Sequence, residues 1–342
     1  MSLFQREMIM TKVKVVITDY VEQDLKWEEE QFKVLGVDFS YDQLKLGSPE
    51  QILNLARDAD IVIVNMAKMD AEVISGLRRC RLIIRHGVGY DNVDAAAATG
   101  RNIVFSYIPD YCVEEVAEQA IMLIFACQRK LLSQNRILRD SAAKGKWDFT
   151  PIYPVFRLNG KTLGIIGFGR IGRAVYRMMQ GFDMRFLVCD PYLSDARKKE
   201  FGIETVTLAH VLKESDIVTV HTPLIEETYH LIDEPELKLM KKTAILVNTA
   251  RGGIVNLRAL DKALREGWIA HAGIDVYEEK EPPDPELPLL HNERAICTPH
   301  LSWLSEEAGW SIREKIVEDV QRFVQRQGPR YPVNSEVKIR FD

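Results

Sequence analysis

The sequence predicts an α/β protein with two domains, each built around a parallel sheet. Strand-like and helix-like segments alternate along almost the whole chain, which is typical of parallel strands joined by helices. A glycine-rich turn joins an apolar strand to a helix near the middle of the chain. The chain has 342 residues, which is long enough for about two domains.

The first half of the chain contains a complete small α/β unit. Short apolar runs predict its strands at residues 13–18, 61–65, 82–85 and 103–106. Apolar residues at helical spacing predict the connecting helices at residues 21–34, 49–57, 71–78 and 93–99.

The second half opens with the glycine turn, in which Gly167, Gly169 and Gly172 lie between an apolar strand and a helix that contains Ile171. The first glycine allows a tight turn, the second lets the backbone approach a pyrophosphate, and the third lets the helix pack closely on the strand. The N–H groups at the helix N-terminus, beginning with Arg170, favour phosphate binding. Together these features predict a dinucleotide-binding domain, and an ordinary glycine-rich turn is the alternative.

An acidic residue stands where such a domain places the ribose. The next strand, near residues 185–189, is followed by Asp190, which comes 18 residues after Gly172. Its carboxylate is expected to accept hydrogen bonds from the ribose of NAD and to repel the 2′-phosphate of NADP. Four further strands, predicted near residues 217–220, 244–248, 272–276 and 295–298, complete a six-stranded sheet.

The domain boundaries follow from these two series of elements. A proline and an apolar helix at residues 114–130 separate the series. A helical pattern at residues 306–325 and a polar tail follow the last strand, and by position the tail cannot extend the second sheet. We therefore expect it to fold back onto the first domain, so that the domains comprise residues 11–108 with 301–342, and residues 109–300.

Composition and charge exclude several classes of partner. The net charge of −5 gives no electrostatic reason to bind nucleic acid. No apolar run reaches the roughly 18 residues that span a bilayer, and we expect no secretion signal. The five cysteines are scattered without metal-ligand spacing. We therefore expect core-filling thiols in a cytoplasmic protein that binds no metal, nucleic acid or membrane.

One predicted strand leads directly into an arginine. Residues 244–248 are followed closely by Arg251 and a pair of glycines. Ligands of parallel sheets bind at the carboxyl ends of the strands, and a guanidinium can hold a carboxylate with two hydrogen bonds. Arg251 is therefore a candidate substrate ligand, and a surface arginine is the alternative.

The last predicted strand leads into His300. A histidine with a neighbouring carboxylate is the usual general acid/base for reducing a carbonyl, and such a carboxylate raises the pKa of the histidine. The candidate partners follow Asp275 and are Glu278, Glu279 and Glu281. By residue type alone the remaining histidines are interpreted as structural: His86, His210, His221, His230, His271 and His291.

Glycines also follow the strand at residues 82–85. Gly87 and Gly89 expose backbone N–H groups, which can form an anion nest for a substrate carboxylate at Val88 and Gly89. The alternative is a plain strand-to-helix turn with Asn92 as the helix cap.

These motifs together resemble the D-isomer-specific 2-hydroxyacid dehydrogenases, from about residue 12 to 335. The matching segments are H-G-V-G-Y-D-N-V-D at 86–94, the glycine turn at 167–172, V-H-T-P-L at 220–224, L-V-N-T-A-R-G-G at 246–253, G-I-D-V at 273–276 and T-P-H at 298–300. Residues 190–195 and 300–306 look most like the C-terminal-binding-protein branch of this family. The resemblance implies two Rossmann-like or flavodoxin-like domains with a cleft between them, NAD as cofactor, and a homodimer.

The resemblance also implies roles for individual residues. In the catalytic set, Arg251 holds a 2-keto acid, His300 donates the proton and Glu281 tunes His300. The implied cofactor contacts are Gly167, Gly169, Arg170, Ile171, Gly172, Asp190, His221, Thr222, Pro223, Thr228, Thr249, Ala250, Arg251, Asp275 and His300. The implied substrate contacts are Lys68, Val88, Gly89, Arg251, His300 and Trp303.

The sequence departs from the family pattern at the catalytic glutamate. The family usually places it five residues after the aspartate of the G-x-D-V motif and directly before a proline. Here the fifth residue after Asp275 is Lys280, and Glu281 precedes the proline. We choose Glu281 because a lysine beside the imidazolium would lower the histidine pKa. Glu278 and Glu279 stay open.

A second departure concerns the substrate. The loop at residues 65–68 lacks the Arg-Ser pair that phosphoglycerate dehydrogenases often carry, which argues against 3-phosphoglycerate, although Lys68 could meet another anionic group. Trp303 would wall the pocket and favour a bulky apolar substrate side chain, and interdomain packing is its alternative role.

Two functional hypotheses result. The first is an NAD-dependent oxidoreductase that interconverts a 2-keto acid and a D-2-hydroxy acid by hydride transfer, with His300 as general acid/base. The second is an NAD(H)-sensing dimeric interaction module that resembles the C-terminal-binding-protein corepressors. The absence of a basic patch and of a long tail after the fold favours the enzyme.

Overall fold

The chain divides into two compact units. The computed structural model describes residues 12–278 and 280–341. Of these described residues, those up to Tyr111 and those from Ser305 onwards form one unit, and those within Cys112–Leu304 form the other. Each unit contains one parallel sheet with helices around it, which confirms the predicted fold class.

The first unit is built on a five-stranded parallel sheet in the order β2-β1-β3-β4-β5. Its elements in this part of the chain are β1 (Lys14–Ile17), α1 (Lys26–Val34), β2 (Asp38–Tyr41), α2 (Pro49–Ala56), β3 (Ile61–Val64), α3 (Ala71–Gly76), β4 (Leu82–Arg85), α4 (Ala95–Gly100) and β5 (Val104–Tyr107). This strand order is flavodoxin-like. The edge strand β2 was not predicted, because it is neither apolar nor fully buried.

The second unit is built on a six-stranded parallel sheet in the order β11-β10-β9-β8-β6-β7. Its elements are α5 (Val113–Gln128), α6 (Leu131–Lys144), β6 (Thr162–Ile166), α7 (Arg170–Met179), β7 (Arg185–Cys189), α8 (Asp195–Phe201), α9 (Leu208–Glu214), β8 (Ile217–Val220), α10 (Glu234–Leu239), β9 (Ile245–Asn248), α11 (Leu257–Glu266), β10 (His271–Ile274) and β11 (Ala295–Cys297). All six predicted strands are present. The helix α6 was not predicted, and it buries little of its own surface.

The C-terminal segment belongs to the first unit. The last helix, α12 (Glu306–Val324), contributes Ile312 and Phe323 to the core beneath the five-stranded sheet. The segment after it then reaches β5, where the Asn334 side chain accepts a hydrogen bond of 2.8 Å from the Phe105 N–H. The first unit is therefore discontinuous in sequence.

The apolar helix α5 is a core element of the second unit. Its buried side chains include Ala120, Leu123 and Cys127, which pack in one cluster with residues of β6 and β9. Among the described residues no helix is long and apolar enough to cross a membrane. Among the described residues no disulfide joins the five cysteines, and Cys80, Cys112 and Cys127 are buried.

Candidate active site

The predicted site residues of the second unit follow the carboxyl ends of its strands. Because all strands of the sheet are parallel, these ends lie along one edge. β7 lies on one side of β6 and β8 on the other, so the chain direction across the sheet reverses beside the glycine turn. Such a switch point is the usual binding site of an α/β sheet.

The glycine turn brings the backbone of two loops into close contact. Gly167 has a φ of +88°, and a Cβ there would lie 2.7 Å from the carbonyl carbon of His221. A Cβ at Gly172 would lie 2.2 Å from the Gly167 carbonyl oxygen, whereas one at Gly169 would meet no described atom within 4 Å. Gly169 is also the N-cap of α7 and has no side chain to occupy the first N–H groups. Open space therefore faces the helix N-terminus, at Arg170 and Ile171.

Asp190 is fixed beside this turn. Its Oδ2 accepts a hydrogen bond of 2.8 Å from the Phe168 N–H, and its Oδ1 accepts one of 3.0 Å from the Tyr192 N–H. Both bonds come from backbone groups, which orient the carboxylate at the end of β7. The predicted ribose ligand and the predicted phosphate site are thus adjacent.

The loop after β8 starts with a half-buried histidine that is neutral at physiological pH. Burial lowers the pKa of His221 to about 3. Its Nε2 lies 2.9 Å from the Thr219 hydroxyl, and its Nδ1 is buried without a hydrogen-bond partner in the described part of the chain. Thr222 and Pro223 follow, and the Thr228 hydroxyl donates to the Pro223 carbonyl at 2.6 Å. The hydroxyl of Thr228 therefore holds the shape of its own loop.

The loop after β9 presents Thr249, Ala250 and Arg251. The Asn248 side chain accepts from the Ala250 N–H at 3.0 Å and donates to the Arg251 carbonyl at 2.8 Å, which fixes the turn. The Arg251 guanidinium donates to the Ala250 carbonyl at 2.9 Å. The Thr249 hydroxyl is buried without a hydrogen-bond partner among the described residues.

His300 and Glu281 form a close pair. His300 Nδ1 lies 2.5 Å from Glu281 Oε2, and the two side chains are 28% and 22% exposed. Glu281 Oε1 accepts a hydrogen bond of 3.3 Å from the Tyr277 N–H. Burial alone would raise the pKa of Glu281, but the hydrogen bond and charge of His300, with the charge of Arg251, lower it below its ordinary value. This carboxylate is ionised at neutral pH and faces the imidazole.

The other two candidate glutamates differ from Glu281. Glu278 points to His230, with 2.8 Å between its Oε2 and the ring Nε2. Its second oxygen, Oε1, accepts a hydrogen bond from the Leu257 N–H, so neither oxygen is directed at His300. Glu279 lies outside the described residues.

Asp275 organises the segment that carries His300. It is fully buried, and its carboxylate accepts from the hydroxyls of Thr298 and Ser302 and from the Ser302 N–H at 3.0 Å. The Tyr277 hydroxyl adds a bond of 2.8 Å to the Thr298 carbonyl. Thr298, Ser302 and Tyr277 were not predicted as site residues, although the hydroxyls on both sides of His300 were a visible signal.

The predicted substrate residues of the five-stranded unit follow β3 and β4. Val88 and Gly89 lie in the loop after β4, and Lys68 lies in the loop after β3 with its Nζ 3.6 Å from Asp70 Oδ2. The Asn92 side chain donates to the Asn65 and Ala67 carbonyls, so it ties the two loops together. The alternative role of Asn92 as helix cap was wrong. The cap of α4 is Asp94. Trp303 belongs to the six-stranded unit and is half-buried.

A close contact between a histidine and a glutamate lies next to the same loops. His86 Nε2 lies 3.1 Å from Glu22 Oε1, and both side chains are nearly buried. Burial alone would raise the pKa of Glu22, but the charge and hydrogen bond of His86 lower it to about 2. Among the described residues no cluster of side chains suits a metal ion.

Comparison with known proteins places these features in one enzyme class. Residues 121–302 match the family model described as D-isomer specific 2-hydroxyacid dehydrogenase, NAD binding domain. The glyoxylate reductase of Korarchaeum cryptofilum is 40% identical over 299 residues, covering 86% of this chain and 88% of that protein. The glyoxylate reductase of Pyrococcus furiosus is 38% identical over 338 residues, covering 96% and 98%.

Solved structures give the same result. The D-lactate dehydrogenase from Aquifex aeolicus, complexed with NAD and lactic acid, has a TM-score of 0.80 and 29% identity, covering 91% of this chain and 95% of that one. The fold and site therefore define an NAD-dependent oxidoreductase of 2-hydroxy acids. The chain belongs to the D-isomer-specific 2-hydroxyacid dehydrogenases. These relatives are enzymes, so the interaction module is not favoured, and the resemblance to the C-terminal-binding-protein branch stays a prediction.

Proposed function

We propose that this chain reduces glyoxylate or another small 2-keto acid to the 2-hydroxy acid with NADH. The observation that carries the proposal is the 2.5 Å contact between His300 Nδ1 and Glu281 Oε2 at the strand-end edge that also bears Arg251. An imidazole paired with a carboxylate is suited to donate a proton to a carbonyl oxygen. The identities of 36–40% to glyoxylate reductases support glyoxylate as the first substrate to test.

The residues at the glycine turn fit a dinucleotide. The open space at Gly169, in front of the α7 N-terminus, suits a pyrophosphate. The buried atoms Thr249 Oγ1 and His221 Nδ1 have no hydrogen-bond partner among the described residues, and they offer polar contacts further along the same edge. When bound, NADH supplies the hydride. Asp190 would hold the ribose and select NAD over NADP.

The proton chemistry belongs to His300. Because its Nδ1 faces Glu281, its Nε2 is the ring nitrogen left to donate to the substrate oxygen. The ionised Glu281 stabilises the protonated imidazole and fixes the ring orientation. Arg251 would hold the substrate carboxylate with two hydrogen bonds and so orient the carbonyl. In the reverse direction the neutral His300 accepts the proton.

The loops after β3 and β4 carry further residues that we propose as substrate contacts. Val88 and Gly89 would bind the keto-acid carboxylate through backbone N–H groups, and Lys68, with a side chain 79% exposed, could meet a second anionic group. Trp303 would wall the pocket beside the substrate side chain, and phenylpyruvate tests the predicted preference for a bulky apolar group. We propose residues 11–108 with 301–342 for substrate binding and residues 109–300 for NAD binding, whereas the compact units divide after Tyr111 and after Leu304.

A homodimer in the cytoplasm is the assembly that we propose. The helix α6 and the segment after it expose large apolar side chains, which a monomer would leave in water. These side chains are Leu131, Leu132, Leu138, Trp147 and Phe149. A second copy would cover them. Cysteines that form no disulfide in the described part of the chain suit a reducing compartment.

A substrate panel with NADH tests the proposal. Glyoxylate, pyruvate, hydroxypyruvate and phenylpyruvate are compared by NADH oxidation, with the His300→Ala variant as the matched control. We expect turnover of at least one small keto acid by the wild type and a large loss in the variant. Tight NADH binding without turnover of any keto acid would reject the reductase and support the interaction module.

A further inference from the structure

Glu278 joins three loops of the six-stranded unit. Its Oε2 lies 2.8 Å from His230 Nε2, and its Oε1 accepts a hydrogen bond of 2.7 Å from the Leu257 N–H. His230 belongs to the loop after β8, Leu257 begins α11 after the loop of β9, and Glu278 itself follows β10. The Glu278 and His230 side chains are 19% and 26% exposed, so water weakens this contact only in part.

The backbone reinforces the junction between the loops after β8 and β9. The His230 N–H donates to the Gly253 carbonyl at 2.8 Å, and the Ile232 N–H donates to the Ile254 carbonyl at 3.1 Å. Gly253 and Ile254 belong to the short turn that directly follows Arg251. His230 therefore contacts the Arg251 turn through its backbone and Glu278 through its ring.

The same turn also packs on the backbone next to Glu278. A Cβ at Gly252 would lie 2.0 Å from the carbonyl carbon of Tyr277, so the two backbones approach as closely as glycine permits. The Tyr277 N–H in turn donates to Glu281 Oε1 at 3.3 Å. The turn after Arg251 and the segment leading to Glu281 thus meet where Glu278 is anchored.

We propose that Glu278 and His230 form a positioning pair, which sets the loop of Arg251 against the segment of Glu281 and thereby places the substrate carboxylate. The inference rests on the proposed function, because it assigns the pair to the reduction of a keto acid. Both Glu278 oxygens bind protein groups, so the pair acts through Arg251 and Glu281. A carboxylate that only caps α11 would stabilise the helix without affecting the substrate site.

Kinetics of Glu278 variants separate these two roles. Glu278→Ala removes both hydrogen bonds, and we expect the KM for the keto acid to rise about 10-fold and kcat/KM to fall by up to about 10²-fold. Glu278→Gln keeps an acceptor for the Leu257 N–H and a polar group facing His230, so it should recover most of the loss. An unchanged KM in Glu278→Ala would overturn the proposal.

A double-mutant cycle tests whether the two residues act as one. If they form a pair, Glu278→Ala combined with His230→Ala should lose no more kcat/KM than the worse single variant. Losses that simply multiply would overturn the pairing. Thr207→Ala is the matched control, because Thr207 caps α9 in the same unit and accepts from the His210 N–H. It should destabilise the protein yet leave the KM for the keto acid unchanged.

Amide hydrogen exchange tests the positioning role of Glu278 independently of the proposed function. In Glu278→Ala, the amides of residues 251–257 should exchange faster than in the wild type and in Thr207→Ala. Unchanged exchange there would reject the anchoring of the Arg251 loop. A wild type that binds NADH but reduces no keto acid would reject the proposed function, while exchange would still decide whether Glu278 holds this loop.

Discussion

Replacing Glu281 with glutamine tests the acid chemistry of the site directly. The substitution keeps the size of the side chain and leaves an oxygen that can accept from His300 Nδ1, but it removes the charge. The two groups lie 2.5 Å apart and are 28% and 22% exposed, so the charge acts in a partly dehydrated environment. The main change is therefore in how strongly the site favours the protonated imidazole.

The size of the effect follows from the distance. Two unit charges about 4 Å apart attract by about 4 kcal/mol at an effective dielectric constant of about 20. An opposite charge at such a distance favours the charged form of a group by about 1 to 3 pH units. Because about a quarter of each side chain is exposed, water screens part of this attraction, and the net effect of the charge is smaller than these figures.

The assay is the pH dependence of keto-acid reduction at saturating NADH. Reduction requires protonated His300, so the alkaline limb of the profile should move to lower pH in Glu281→Gln. The lowered pKa of Glu281 keeps the wild-type carboxylate ionised through this limb. Glu278→Gln and Glu279→Gln are the matched controls and should leave the limb in place. An unmoved limb in Glu281→Gln would refute the assignment, and a limb moved by Glu279→Gln would transfer the role.

Other substitutions test the remaining parts of the site. His300→Ala should lower turnover by roughly 10² to 10⁴-fold with NADH affinity nearly intact, measured by fluorescence titration. Asp190 should make NADH the better cofactor, and equal kcat/KM with NADPH would contradict its role. Gly252→Ala places a Cβ 2.0 Å from a backbone carbon, so lower thermal stability and lost activity are expected. Because the pKa of Glu22 is lowered from 4.5 to about 2 beside His86, the ionised carboxylate contributes up to about 3 kcal/mol to the free energy of unfolding. This contribution is fully present above pH 4.5 and is lost as the pH falls towards 2. Glu22→Gln should flatten that acid dependence in thermal melts.

The helices and strands that could be predicted from the sequence are those whose burial requires a recognisable pattern of apolar residues. Strands such as Ile61–Val64 are covered on both faces and appear as continuous apolar runs. The edge strand Asp38–Tyr41 has alternating polar residues and partial exposure, so its short segment carries no such signal. Helix α6 was missed for a related reason. Its Leu131 and Leu138 are exposed, and no core in its own unit dictates their spacing.

Site residues could be placed from the sequence where they closely follow a predicted parallel strand. Parallel strands end at one edge, so Arg251 and His300 could be placed at that edge from their strands alone. The contacts of Asp275 with Thr298 and Ser302 depend on how two loops turn, and spacing along the chain does not determine this. The role of Glu278 is equally a property of the folded loops.

The structure distinguishes Glu278 from Glu281, the two described glutamates that precede Pro282. Glu278 is anchored to His230 and to the start of α11, whereas Glu281 faces His300. The Lys280 N–H donates a hydrogen bond of 2.6 Å to the Glu278 carbonyl. Glu281, next to the proline, thus faces His300, whereas Glu278 holds the loops together.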